Sequence, residues 1–202
     1  MASVPTRRRL TPDQRRDALL DAGEELFRER GVDDVSMQDI AEHAGVTRAL
    51  LYHYFRTKAE LFGGIWSRAH ERVRTSPPSA APTVRAWAER LLRDYLDFYA
   101  AHLSLVIIAN RSSVASDPAV RGPVDDSFAA ISRALLDAAG AGGAQRAAAE
   151  VAFAGWIAFV RETSLATFLD GRIEPEENVA LCLAALDATV GRHADLSAPA
   201  RH

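Results

Sequence analysis

The sequence is poor in several features, and each absence excludes a class of protein. A single cysteine, Cys182, stands among 202 residues. No internal disulfide can form, so a stapled secreted scaffold is excluded. No cysteine pair is available for zinc, the six histidines are scattered, and His70-Glu71 has no second histidine at metalloprotease spacing. No apolar run reaches the roughly 18 residues of a membrane span, and the arginine-rich opening has no apolar stretch behind it. The expectation is therefore a cytoplasmic protein with no membrane partner. Phosphate loops are missing too: Gly140-Ala141-Gly142-Gly143 lacks a following Lys-Ser/Thr pair, and no Gly-x-Ser-x-Gly elbow occurs. Nothing marks a catalytic residue, a metal ligand or a cofactor site, so the expectation is a protein that is not an enzyme and carries no cofactor. Strand-like alternation of apolar and polar residues is absent as well.

What is present points to helices. Hydrophobic residues make up 48% and charged residues 25% of the chain, an ordinary globular balance. Alanine occurs 38 times, and 23 of the 24 basic residues are arginine, Lys58 being the exception. The net charge of -3 conceals an uneven distribution. Arg7–Arg16 carries +4, Asp17–Glu42 carries -7, and His43–Lys58 carries +3. A fold that joins the two basic islands on one face would create a positive footprint that the total hides.

Capping signals divide the chain. Thr11-Pro12-Asp13-Gln14 opens a first helix that Gly31 ends, with Leu19, Ala22, Gly23, Leu26 and Phe27 at helical spacing. Ser36 caps a second helix, with Asp39 three residues on; Gly45 makes a turn, and Thr47 caps a short third helix. Thr57 caps a fourth, from Lys58 to about Arg74. The second and third helices read as a helix-turn-helix. They are too short to persist alone and must pack on the first through Phe27, Val35, Ile40, Val46, Leu51 and Phe55. Ser76–Pro82 reads as a linker. Further helices are expected over Thr83–Ala101, Leu103–Asn110, Pro123–Ala139, Gln145–Asp170 and Pro175–Val190, ending in a frayed tail. The expected class is all-α: a basic flexible arm (1–9), a three-helix head (10–57), a helical regulatory and dimerisation body (58–193) and a tail (194–202). Ala147–Val160 holds one charge and Val179–Leu186 none, so both helices want cover all round and a partner chain supplies the second side. Val151, Ala154, Val179, Leu183, Leu186 and Val190 are the expected dimer contacts.

The motifs Ala22-Gly23-Glu24-Glu25-Leu26-Phe27, Ile40-Ala41-Glu42-His43-Ala44-Gly45-Val46-Thr47 and Leu51-Tyr52-His53-Tyr54-Phe55-Arg56-Thr57-Lys58 fall in order. They resemble the DNA-binding head of TetR-family transcriptional regulators. A recognition helix presents its N-terminal side chains to the major groove, which places Thr47, Arg48, Ala49 and Leu50 nearest the bases. Arg48 suits guanine, and Ala49 or Leu50 a thymine methyl. The resemblance brings Gln38 to the groove as well. Phosphate contacts are expected from Ser36, Thr47, Tyr52, Tyr54 and Lys58. The resemblance further implies a homodimer on double-stranded DNA with a palindromic operator, pairing of the last two helices in a four-helix bundle, and repression relieved by a small-molecule effector. Few charges in the body suggest an apolar or aromatic effector. Candidate pocket residues are Trp87, Tyr95, Phe98, Tyr99, His102, Trp156, Phe159, Thr163 and Phe168, with Asn110, Arg161 and Glu162 as orienting groups. The competing readings are an all-helical enzyme and a protein-interaction module whose head binds no DNA.

Overall fold

The protein is described by a computed structural model covering residues 10–71 and 81–200. Helix α1 (Pro12–Arg30) starts on a reciprocal cap. The Thr11 hydroxyl accepts from the Gln14 amide at 3.2 Å, and the Gln14 side chain accepts from the Thr11 amide at 3.0 Å. Ser36 and Asp39 open α2 (Met37–His43) in the same way, and the Thr47 hydroxyl caps α3 (Arg48–Tyr54) through the Leu50 amide. Gly45, at φ 63°, makes the turn between them, a backbone conformation costly for a residue with a Cβ. Helix α4 spans Lys58–Glu71, the Thr57 hydroxyl accepting from the Glu60 amide.

Phe27, Ile40, Leu51 and Phe55 are at most 3% exposed and form the centre of the head, with Val35 beside them and Val46 half-buried at the edge. Burying each large apolar side chain contributes about 1.5–3 kcal/mol, which isolated seven-residue helices lack. Leu61, Phe62 and Ile65 of α4 complete this core. Arg68 of α4 pairs with Asp21 at 2.7 Å and Glu24 at 2.9 Å on α1.

The body comprises α5 (Val84–Ala101), α6 (Leu103–Arg111), α7 (Pro118–Ala138), α8 (Gly143–Phe168) and α9 (Pro175–Thr189), then a single 3-10 turn, Val190–Arg192. No strand occurs among the described residues. Helix α4 packs on α1 on one side and α7 on the other, so it belongs to head and body alike. A second tie crosses the same boundary, where the Ser113 hydroxyl donates to the Asp33 carboxylate.

Two expectations need correction. Helix α7 starts at Pro118, not Pro123: Asp117 caps it, Pro118 takes the first position, and Pro123 lies inside. Pro123 has no N–H, so the carbonyl four residues back, that of Ala119, loses its helical donor. That carbonyl lies against Gly63 of α4, so closely that a Cβ on Gly63 would stand 2.2 Å from it. The α4–α7 crossing is thus a backbone-to-backbone contact. The second correction concerns the expected frayed tail. The Ala198 and Leu196 carbonyls accept from the Val84 and Arg85 amides, both at 2.9 Å, and Ala194 and Ala200 are buried. These bonds satisfy amides at the start of α5 that have no partner within the helix. The arm at 1–9, the expected end of α4 near Arg74 and most of the Ser76–Pro82 linker lie outside the described residues.

Candidate nucleic-acid interface and body cavity

The head exposes the residues that a groove-reading helix requires. Thr47, Arg48 and Ala49 are exposed at the start of α3, with Leu50 half-buried behind them. The Arg48 guanidinium lies 5.2 Å from the Tyr52 ring centroid and donates to the Tyr52 hydroxyl at 3.3 Å. Arg48 is therefore folded along α3 and must swing outward to reach a base. Gln38 is exposed on α2, its amide donating to Glu42 at 2.6 Å. Arg16, from the first basic island, sits over the Phe55 ring at 5.3 Å. This contact brings the two islands together beside the end of α3.

The expected phosphate ligands divide by how free they are. Tyr52 is exposed, and the Thr47 hydroxyl, used as an acceptor in its cap, keeps its proton to donate. Tyr54 is half-buried, with the His53 ring edge-on at 5.4 Å. The Ser36 hydroxyl donates to Asp39 at 2.6 Å and accepts from its amide at 3.1 Å, so both of its roles are occupied. These bonds hold the Asp39 carboxyl below its ordinary range. Lys58 is half-buried and donates to the Val32 and Val35 carbonyls in the α1–α2 loop. Its ammonium is first a clamp between α4 and that loop, with one proton left over. Sequence spacing alone did not reveal this clamp.

The body holds two adjoining pockets, which form the two lobes of one partly open cavity. The deep lobe, of about 40 Å³, is apolar and lies between α5, α7 and α8, against Leu91, Leu92, Ile131, Leu135, Phe153 and Val160. The second, of about 60 Å³, reaches α4 and α6 and is lined by Trp66, His70, Tyr99, Asn110, Arg121 and Arg161 among others. Tyr95, Phe128 and Ile157 line both lobes. The Tyr95 and Tyr99 hydroxyls are bonded at 2.6 Å. Burial pushes the pKa of both phenols up, that of Tyr95 strongly, so both stay protonated at neutral pH.

Of the expected pocket residues, the structure brings Tyr95, Tyr99, Asn110, Arg161 and Trp156 to this cavity. Trp87 is buried in α5 without lining it, Phe98 stacks between Trp66, His70 and His102, and Phe168 stands 6.4 Å from the Tyr99 ring. Two assignments are corrected outright. Phe159 lines a groove on the outer face of α8 and α9, and Thr163 faces α9, with its hydroxyl at 3.3 Å from the Cys182 sulfur. The cavity residues not anticipated are chiefly Phe128, Ile131 and Leu135, spaced along one face of α7.

Four of the six expected dimer contacts need the same correction. Val179, Leu183, Leu186 and Val190 are at most 7% exposed because they pack inside their own chain, chiefly against α8. Trp156 ties this seam by donating to the Cys182 carbonyl at 2.8 Å. Val151 and Ala154 are exposed. The outward apolar surface is instead Val151, Ala152, Gly155 and Phe159 on α8 with Leu181, Ala185 and Ala188 on α9, Val151 being 75% exposed.

No helix of the described residues is long and apolar enough to cross a membrane, and no cluster there could hold a metal. The family model for bacterial regulatory proteins of the tetR family matches residues 19–65. The transcriptional repressor BepR of Brucella suis is 44% identical over 54 residues, which is 27% of this chain and 26% of BepR. The transcriptional activator FasR of Mycolicibacterium smegmatis is 35% identical over 83 residues, 41% of this chain and 38% of FasR. These alignments thus span only about a quarter to two-fifths of the curated relatives' length. The crystal structure of a tetR-family regulator from Streptomyces coelicolor superposes with a TM-score of 0.68 at 29% identity, covering 91% of this chain and 85% of that one. These proteins are described as transcriptional regulators and not as enzymes.

Proposed function

Starting from the premise that the chain belongs to the TetR family of bacterial regulatory proteins, we propose that it is a sequence-specific repressor released from a palindromic operator by a small effector. Residues 10–57 form the reading head, and the helices from Lys58 onward form the regulatory and dimerisation body. The observation that carries this reading is the exposed Thr47-Arg48-Ala49-Leu50 end of α3, beside exposed Gln38 and the joined basic islands.

In this reading Arg48 releases Tyr52 and forks onto a guanine, a contact worth about 1–3 kcal/mol of base discrimination. Thr47, Tyr52 and Tyr54 hold phosphates, with the spare proton of Lys58 at the edge of the footprint and Ser36 serving as the cap of α2. Two chains pair through the outward α8–α9 surface. A two-fold pair of heads one DNA turn apart, about 34–36 Å, demands a near-palindromic site. The body cavity holds the effector.

Selection of the purified protein against a random duplex pool tests the proposal. The expected result is an enriched two-fold symmetric motif whose affinity falls steeply with salt. No enrichment at low salt from folded protein would refute it.

A further inference from the structure

The deep lobe of the cavity is apolar throughout, whereas the second gathers hydrogen-bond donors. The two phenols of Tyr95 and Tyr99 share one hydrogen bond, which consumes one of their two protons. The other belongs to Tyr99, whose phenol lies beside the Asn110 side chain. Asn110 lies in the same lobe and its amide donates to the Val106 carbonyl. Arg121 lends its Nε to the Ala115 carbonyl at 2.9 Å. Arg161 lines the same space, and its only partner among the described residues is the neighbouring Glu162, reached through Nε at 3.3 Å. Adjacent residues on a helix do not face each other, so this is a weak tether. The two terminal nitrogens of the Arg161 guanidinium are left open. Asp125 is the one carboxylate lining this lobe, against Arg121 and Arg161. An apolar chamber thus adjoins a chamber with a phenolic donor, an open guanidinium fork and two guanidinium groups against one lining carboxylate.

We propose that the effector is an amphipathic anion, with its apolar body between α5, α7 and α8 and one oxyanion head, such as a carboxylate, on Arg161 and the Tyr95–Tyr99 pair. The proposal rests on reading this cavity as the effector site and narrows the ligand class from simply apolar to apolar with one anionic end. An oxyanion satisfies both kinds of donor at once, and an Arg–oxyanion contact is bidentate and charge-assisted. A neutral apolar ligand would fill the deep lobe and leave those donors unmet. In this closed form each lobe has room for a few water molecules, far below the roughly 300–1,000 Å³ of a small-molecule site. Entry therefore parts α7 from α8 at Phe128 and Ile157. Helix α7 carries Ala119, which sits on Gly63 of α4, so the same movement reaches the head.

The test uses two probes with one aromatic skeleton: 1-anilinonaphthalene-8-sulfonate, which is anionic, and N-phenyl-1-naphthylamine, which is neutral. Binding of each to the full chain is followed by fluorescence, beside operator affinity and a thermal melt. Arg161→Gln is expected to weaken the anionic probe at least tenfold while changing the neutral one less than twofold. Arg161→Lys should recover part of the loss, and Tyr99→Phe should weaken the anionic probe severalfold. Ile131→Trp, which fills the deep lobe, should weaken both. Equal effects of Arg161→Gln on the two probes, or insensitivity of both to Ile131→Trp, would overturn the assignment. Loss of probe selectivity with operator binding intact defeats the effector class alone. Selectivity in a protein that binds no duplex leaves the anion site standing and defeats the regulator reading.

Discussion

Replacing Gly63 by alanine is a small change with a large expected effect. The added Cβ would stand 2.2 Å from the Ala119 oxygen and 2.9 Å from its carbon. Carbon makes its best non-bonded contacts at about 3.5–4.0 Å, so α4 and α7 must part by roughly 1 Å or more. Neither obstacle is a side chain that can rotate away, because both atoms are backbone. Overpacking of this kind costs about 1–3 kcal/mol. For a chain of this size each kcal/mol lowers the midpoint by about 2–4 °C, so a fall of roughly 2–12 °C is expected. The control is Gly122→Ala in α7, where a Cβ meets nothing within 4 Å beyond its chain neighbours. There alanine gains helix propensity, up to about 1 kcal/mol, but the Pro123 ring disfavours a helical residue with a Cβ before it, so the midpoint should move little. Differential scanning calorimetry of the two variants beside the parent decides the matter. Because α4 also carries the head, Gly63→Ala should weaken operator binding, and Gly122→Ala should not. A Gly63→Ala protein that melts at or above the parent would refute the close-contact argument.

Lys58→Ala should lower the melting midpoint as well as DNA affinity, since the Val32 and Val35 carbonyls lose their charged donor, a loss of about 1–3 kcal/mol; unchanged stability with weakened binding would return Lys58 to a purely phosphate role. The Asp39 carboxyl, held low by Ser36, stabilises the head above its unfolded pKa of about 3.9, and that contribution fades as pH falls through the depressed folded value. The advantage of the parent over Asp39→Asn in denaturant melts should accordingly be full at neutral pH and shrink below about pH 4; an advantage independent of pH would contradict the assignment. Leu181→Glu should convert a dimer to a folded monomer in sedimentation velocity, whereas Leu186→Ala, in the chain's own seam, should cost about 2–5 kcal/mol of stability. A Leu181→Glu protein that remains dimeric would remove the outward α8–α9 surface from the interface.

The head was legible in the sequence because its signals are local. Thr11, Ser36 and Thr47 each cap within three residues, and Gly31 and Gly45 mark their turns through positive φ. The body was less so, because its decisive facts are relations between helices. Pro123 reads as a helix start, yet Asp117-Pro118 upstream is the stronger cap, and the proline is tolerated inside α7. The uncharged stretches of α8 and α9 say that cover is needed on every side but not which side the chain covers itself. Along α9 size would have been the better guide, Leu181 excepted. The larger residues Val179, Leu183 and Leu186 face inward, while Ala180, Ala184 and Ala188 stay exposed. Lys58 illustrates the opposite failure. Its motif position suggests a phosphate, and only the return of the α1–α2 loop shows what its ammonium first holds.

The docking of residues 194–200 bears on how the chain acquires its structure during synthesis. Domains form in the order they leave the ribosome. The head draws its capping and core contacts from one contiguous stretch, so it can begin to form while the body is still being made. Helix α5 cannot do the same. The amides of Val84 and Arg85 wait for carbonyls about a hundred positions downstream, at Ala198 and Leu196. Until those residues arrive, the start of α5 is open to water and the body lacks its closing contact. The slow step of folding should therefore fall late, at this long-range closure, with the head formed before the body.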